Sequence, residues 1–205
     1  MGTLPEIAVL DQLIQRRLDE ILPERLAEKL TEMKGSKTPS LAIIATGGTL
    51  DTAYLPFILS ATAAALGWNA SVFFTFYGLQ LLKKDISGLK VSPLGNPGMP
   101  MTVPFGPRWF RNINWDIPNA IQAFVPGFEA VATSLMERKF KDNGVANLTE
   151  LRQLCVDAGV HLVACQMTVS LLGFTADDFI PEVTEYAGAA TFLPMARDAD
   201  VSLFM

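Results

Sequence analysis

Among side chains that could do covalent chemistry, Cys165 has the most favourable setting, in the run Val160-His161-Leu162-Val163-Ala164-Cys165-Gln166-Met167-Thr168-Val169-Ser170. The mostly apolar residues before it read as a short buried strand, and Thr168 and Ser170 open a helical turn after it. A thiol at such a junction meets the unpaired N–H groups at the start of the coming helix. That setting favours the thiolate, the form that acts as nucleophile.

The other candidates are weaker. Cys155 falls within the helix before the strand, and strand rise alone puts it about 13 Å or more from Cys165, too far for a disulfide. His161 is four residues back along the same strand, again about 13 Å away. It reads as a polar cap on the strand's first residue, not as a base, which disfavours a Cys/His hydrolase. The segment Ile43-Ile44-Ala45-Thr46-Gly47-Gly48-Thr49-Leu50 resembles the first nucleophile motif of the asparaginases. That family also needs a His-Gly-Thr-Asp-Thr motif, and the sole histidine here is His161. Gly47-Gly48 is therefore read as a strand-to-helix turn. Neither a G-x-G-x-x-G fingerprint nor a P-loop lysine is present.

Composition narrows the function classes. A formal net charge of −5, with 16 scattered Lys and Arg, argues against nucleic acid. Two cysteines in 205 residues make no disulfide framework, and with one histidine no zinc site is expected. A reducing, cytoplasmic compartment is expected. The mean hydropathy of +0.29 is high, enough for a large core and for subunit interfaces. Early acids (Glu6, Asp11, Asp19, Glu20) do not suit a signal peptide. The best membrane-span candidate, residues 117–136, is interrupted by Pro118, Asn119, Gln122, Pro126 and Glu129. Nothing in the sequence supports a membrane contact.

Several elements must position the thiol. Residues 5–33 carry Leu10, Ile14, Leu18, Ile21, Leu22, Leu26, Leu30 and Met33 at helical spacing, with Pro23 expected to kink or divide the helix. Residues 1–38 are thus expected to be an amphipathic arm and linker, and residues 39–205 the body. Leu41–Ala45 and Ala70–Thr75 read as buried strands, with helices over 52–66 and 77–84 after them. Residues 85–107 are too rich in Pro and Gly for regular structure. They begin an insertion of about 85–142 that includes Trp109, Phe110 and Trp115 and a helix over 120–141 broken at Pro126-Gly127. Asn147 and Glu150 fit a capping box opening a helix that Gly159 closes. A short helix from the cysteine to Leu172, a helix over 187–199 and a closing strand from Val201 complete the pattern. The sum is an α/β fold of four or five mainly parallel strands with helices on both faces.

In such sheets ligands bind beyond the carboxyl ends of the strands. Three ends are expected to converge: Thr46-Gly47-Gly48, Thr75-Phe76-Tyr77-Gly78 and Cys165-Gln166-Met167.

The run Ala164-Cys165-Gln166-Met167-Thr168-Val169-Ser170-Leu171-Leu172-Gly173 is similar to the active-site segment of DsrE/DsrF-like proteins, in the branch labelled peroxiredoxin-like, which favours Ala-Cys-Gln-Met-Ser before a Gly-ended helix. Phe73-Phe74-Thr75-Phe76-Tyr77-Gly78-Leu79, Val125-Pro126-Gly127-Phe128 and Ala199-Asp200-Val201-Ser202-Leu203-Phe204 resemble further segments of that family. Thr168-Val169 departs from the Ser-Met common among relatives but keeps the hydroxyl. No Thr-x-x-Cys peroxidatic motif is present. The resemblance covers roughly residues 40–205. It implies a flavodoxin-like sheet, a homo-oligomer (trimer or hexamer), and a sulfur carrier or sulfurtransferase in which Cys165 holds a persulfide and exchanges sulfur with donor and acceptor proteins or small persulfides. Thr46, Gly47, Gly48, Thr75, Tyr77, Gly78, Gln166, Met167 and Thr168 are the expected pocket residues, and no cofactor is expected. Two other readings compete: a thiol peroxidase or redox sensor using the same cysteine, and a non-catalytic oligomeric interaction protein.

Overall fold

Short apolar runs, none longer than six residues, make the sheet that organises the protein. The computed structural model describes residues 4–92, 101–102, 106–111, 114–115 and 126–205, and contacts divide the chain into two units, Met1–Thr38 and Pro39–Met205.

In the second unit, β1 (Ser40–Ala45) and β2 (Asn69–Phe74) lie side by side. Two-residue strands β3 (Met101–Thr102) and β4 (Asn114–Trp115) form a separate antiparallel pair. The main sheet is completed by β5 (His161–Cys165), β6 (Glu185–Ala187) and β7 (Val201–Phe204). Its order is β6-β5-β2-β1-β7 and every neighbouring pair is parallel. Ala45 is in register with Phe74 and Phe74 with Ala164, so β1, β2 and β5 all end on one edge.

Strand alternation sorts the side chains into two layers. Leu41, Ile43, Ala45, Val72, Phe74, Leu162 and Ala164 belong to the larger core, with Phe57 of α2 (Leu50–Ala65). After α3 (Arg108–Arg111) come α4 (Phe128–Asp142) and α5 (Leu148–Asp157), whose Phe140, Leu148, Leu151 and Cys155 join the same core. Ala42, Phe73, Val163, Cys165 and Ala187 form the smaller core with Phe192, whose ring stacks on Phe73 at 4.8 Å. Between these strands runs α6 (Gln166–Leu172), and Phe192 belongs to α7 (Ala189–Asp198). Right-handedness explains the division: crossovers that advance the same way share a face, and the β6-to-β7 connection, which turns back across the sheet, puts α7 on the other. This is the expected flavodoxin-like three-layer α/β arrangement.

Local chemistry sets the boundaries. Asn147 Oδ1 accepts from the Glu150 N–H at 2.9 Å while Glu150 Oε2 accepts from the Asn147 N–H at 3.0 Å, the capping box that starts α5. Gly159 and Gly173 follow α5 and α6 with φ of 75° and 70°, left-handed stops that suit glycine.

Three expectations are revised. Of the kink or division expected at Pro23, the division does not occur: α1 (Leu4–Ser36) runs through it, since one missing N–H removes a single helical bond from a 33-residue helix. The helix expected over 187–199 begins only at Ala189, because Glu185-Tyr186-Ala187 pairs with Val163-Ala164-Cys165 as a fifth strand. The segment after β2 is a 3-10 helix over Phe76–Leu82. The expected helix over 120–141 is seen from Phe128; its first turns, and residues 93–100 of the insertion, lie outside the described residues. Among the described residues no helix is long and apolar enough to cross a membrane.

Candidate functional site

Cys165 is both the last residue of β5 and the residue from which α6 departs. It is 4 % exposed, at the rim of the sheet where β5 ends. β2 ends alongside it. Thr75 follows that strand, held by its N–H donating to the Ala45 carbonyl at 3.0 Å. The Thr75 hydroxyl lies 3.1 Å from the hydroxyl of Thr168, which is wholly buried in the first turns of α6. The chain then turns through Phe76 at φ 48°, the only non-glycine residue with positive φ among the described residues. This turn aims the Phe76 N–H at Thr168 Oγ1, 3.4 Å away. A left-handed conformation in a bulky residue costs on the order of 1–3 kcal/mol and is kept where its surroundings require it.

The electrostatic consequence falls on the thiol. Burial alone pushes the Cys165 thiol up, but the Thr168 and Thr75 hydroxyls and the backbone N–H groups of Thr168 and Met167 together outweigh it, so its pKa is lowered. α6 has only seven residues, so the effect comes from these individual donors and not from a long helix dipole. Cys155 behaves oppositely. It is fully buried in the other core, donates to the Phe57 carbonyl at 3.3 Å, and burial pushes its thiol up despite hydrogen bonds from Ser60 and Ala61. His161, at the other end of β5, pairs with Glu185 at 2.8 Å.

The remaining expected residues divide. Met167 contributes its backbone N–H to the thiol, and its side chain is exposed, as is that of Tyr77. Gly48 and Gly78 make the turns interlock: a Cβ on Gly48 would collide with the Tyr77 carbonyl, and one on Gly78 with the Ala45 carbonyl. Gly47 packs against Thr52 in the same manner. Thr46 spends its hydroxyl on the Met205 carbonyl at 2.8 Å, tying β1 to the chain end. The Gln166 side-chain amide donates to Ser170 Oγ at 3.4 Å on the exposed side of α6.

Two contributors were not singled out from sequence. Phe76 carries the amide that orients Thr168, and no residue type signals a left-handed phenylalanine. Arg152 is buried and donates to the Leu81 carbonyl at 3.0 Å and the Lys83 carbonyl at 2.6 Å, holding the end of the 3-10 helix that begins at Phe76.

A family model described as DsrE/DsrF/DrsH-like matches residues 37–204. The chain is 51 % identical over 166 residues to the sulfur carrier protein DsrE2 of Allochromatium vinosum, covering 80 % of this chain and 97 % of that protein. It is 25 % identical over 169 residues to the uncharacterized protein YrkE of Bacillus subtilis, covering 82 % and 98 % respectively.

Proposed function

The chain belongs to the DsrE/DsrF/DrsH-like family, and from that premise we propose that it is a sulfur carrier whose Cys165 holds sulfane sulfur as a persulfide. The observation that carries this reading is the thiol itself: nearly covered, lowered in pKa, and faced by two hydroxyls and two backbone N–H groups. The relative named as a sulfur carrier supports the same assignment.

The chemistry is thiol–persulfide exchange. The Cys165 thiolate attacks the outer sulfur of a donor persulfide; an Sγ–S bond forms, the donor's S–S bond breaks, and the donor departs as its thiolate with the electron pair. Unloading reverses these roles: an acceptor thiolate takes the outer sulfur and Cys165 leaves as thiolate. Each step conserves oxidation state. A modestly lowered pKa suits both, because the same sulfur must attack and then leave. With their hydroxyls bonded to each other, one of Thr75 and Thr168 gives its single O–H to the charged sulfur while the other donates to its neighbour, and the interlocked turns at Gly48 and Gly78 fix the strand ends around it. The donor is a protein or small persulfide and the acceptor a protein or small thiol, met by a homo-oligomer in a reducing cytoplasm.

The test is mass spectrometry of reduced protein after incubation with polysulfide, beside Cys165→Ser and Cys155→Ser. One added sulfur is expected on the Cys165 peptide, absent in Cys165→Ser and retained in Cys155→Ser. No added sulfur on that peptide overturns the reading.

A further inference from the structure

The arm α1 lies ahead of the family match, which begins at residue 37, and raises a separate question: what covers its apolar strip. Ile14, Leu18, Ile21, Leu22 and Leu26 each keep about half of their surface accessible, from 48 % to 53 %. Together they offer on the order of 450 Å² per helix. A pair of such helices would bury about 900 Å² before flanking residues are added, close to the ~1,000 Å² scale of a specific contact.

The sequence of α1 is arranged about its middle. Measured from Glu20, apolar residues fall in mirrored positions: Leu18 and Leu22, Ile14 and Leu26, Leu10 and Leu30, Ile7 and Met33. At 3.6 residues per turn, positions 11, 18, 22 and 29 fall within about 20° of one line along the helix. That line therefore reads Asp11, Leu18, Leu22, Lys29: an apolar centre with a carboxylate position at one end and an ammonium position at the other.

We propose that α1 pairs antiparallel with α1 of a second copy of this chain, about a two-fold axis at Glu20. This arrangement sets Leu18 against Leu22 of the other copy and Asp11 against Lys29, each twice. It is the self-complementary pattern that a two-fold interface requires. A parallel pair would instead set Asp11 against Asp11 and Lys29 against Lys29. An anionic lipid surface suits the strip poorly, since α1 carries more carboxylates than cations. The pairing is independent of sulfur chemistry at Cys165.

The experiment is zero-length carbodiimide cross-linking of the full-length reduced chain, followed by peptide mass spectrometry. Within one straight helix, positions 11 and 29 are about 27 Å apart, so an Asp11–Lys29 linked peptide reports contact between copies. That peptide is expected in the dimer band. Sedimentation of Asp11→Lys and of Lys29→Asp should show association weakened roughly tenfold, with Asp11→Lys/Lys29→Asp together restoring it. Absence of the linked peptide overturns the pairing even if the body associates by other surfaces. So does a double variant that stays as weak as the singles, or Asp11 linked instead to a lysine of the body.

Discussion

The hydroxyls of Thr75 and Thr168 lie 3.1 Å apart, joining the end of β2 to the helix that leaves Cys165. They belong to residues 93 positions apart in the chain and meet only because β2 and β5 are neighbours in the sheet. Both also lower the Cys165 pKa. This bridge is therefore where fold becomes reactivity.

Thr168→Val removes the wholly buried hydroxyl with little change of shape, whereas Thr168→Ser keeps it. The pH midpoint of Cys165 alkylation should rise by roughly one to two units in the valine variant, because a hydrogen bond to a charged group contributes about 1.5–3 kcal/mol. The serine variant should stay close to the parent. Peptide-resolved alkylation across pH reads this out; equal midpoints in all three proteins would remove the hydroxyl from the account.

The two thiols should separate by pH and by folding. Cys165 should be alkylated with a midpoint below that of an ordinary thiol, and Cys155 only after unfolding. The linked stability follows in sign. A lowered folded pKa contributes stability that is fully present above the unfolded thiol's pKa and is lost as pH falls through the folded value. Replacing Cys165 by Ser should flatten that part of the stability–pH curve, measured by denaturant titration.

Gly78→Ala should lower Tm by roughly 5–15 °C, since its new methyl would meet the Ala45 carbonyl, a backbone atom with nowhere to go. Gly48→Ala should do likewise against the Tyr77 carbonyl. Gly88→Ala is the control, with open space around its Cβ, and should shift Tm by no more than about 2 °C. Calorimetry on the three variants decides it.

Arg152→Met should destabilise the protein by roughly 2–4 kcal/mol in denaturant titration, leaving the Leu81 and Lys83 carbonyls without their donor. Arg152→Lys should recover part of this loss, because both bonds come from the single nitrogen Nη1 and an ammonium also carries enough N–H groups for two carbonyls, though on a shorter side chain. If the methionine variant matches the parent, Arg152 does not hold the 3-10 helix in place.

Much of this was legible in the residues. Apolar runs marked β1, β2 and β5, the Asn147–Glu150 spacing marked a capping box that the structure contains, and Gly173 marked the stop of α6. The short strand β6 was hidden because Glu185-Tyr186-Ala187 has no apolar run of its own; pairing with β5 makes it a strand. Pro23 does not divide α1 because proline's cost is local and a long helix absorbs it. Thr75 and Thr168 could each be picked out, but their contact depends on strand order, which no local pattern encodes. Phe76 was invisible for a related reason: its conformation answers to Thr168, a partner far along the chain.

The position of Cys165 at the junction of strand and helix has a mechanical consequence. Cysteine has a single side-chain torsion, and a second sulfur adds only about 2 Å of reach. On the proposed reading, sulfur held on Cys165 therefore cannot travel on a swinging arm. On that reading, whatever exchanges sulfur at Cys165 must bring its own reacting atom to the sheet's edge, so that delivery is a docking event and the fixed partner sets the trajectory.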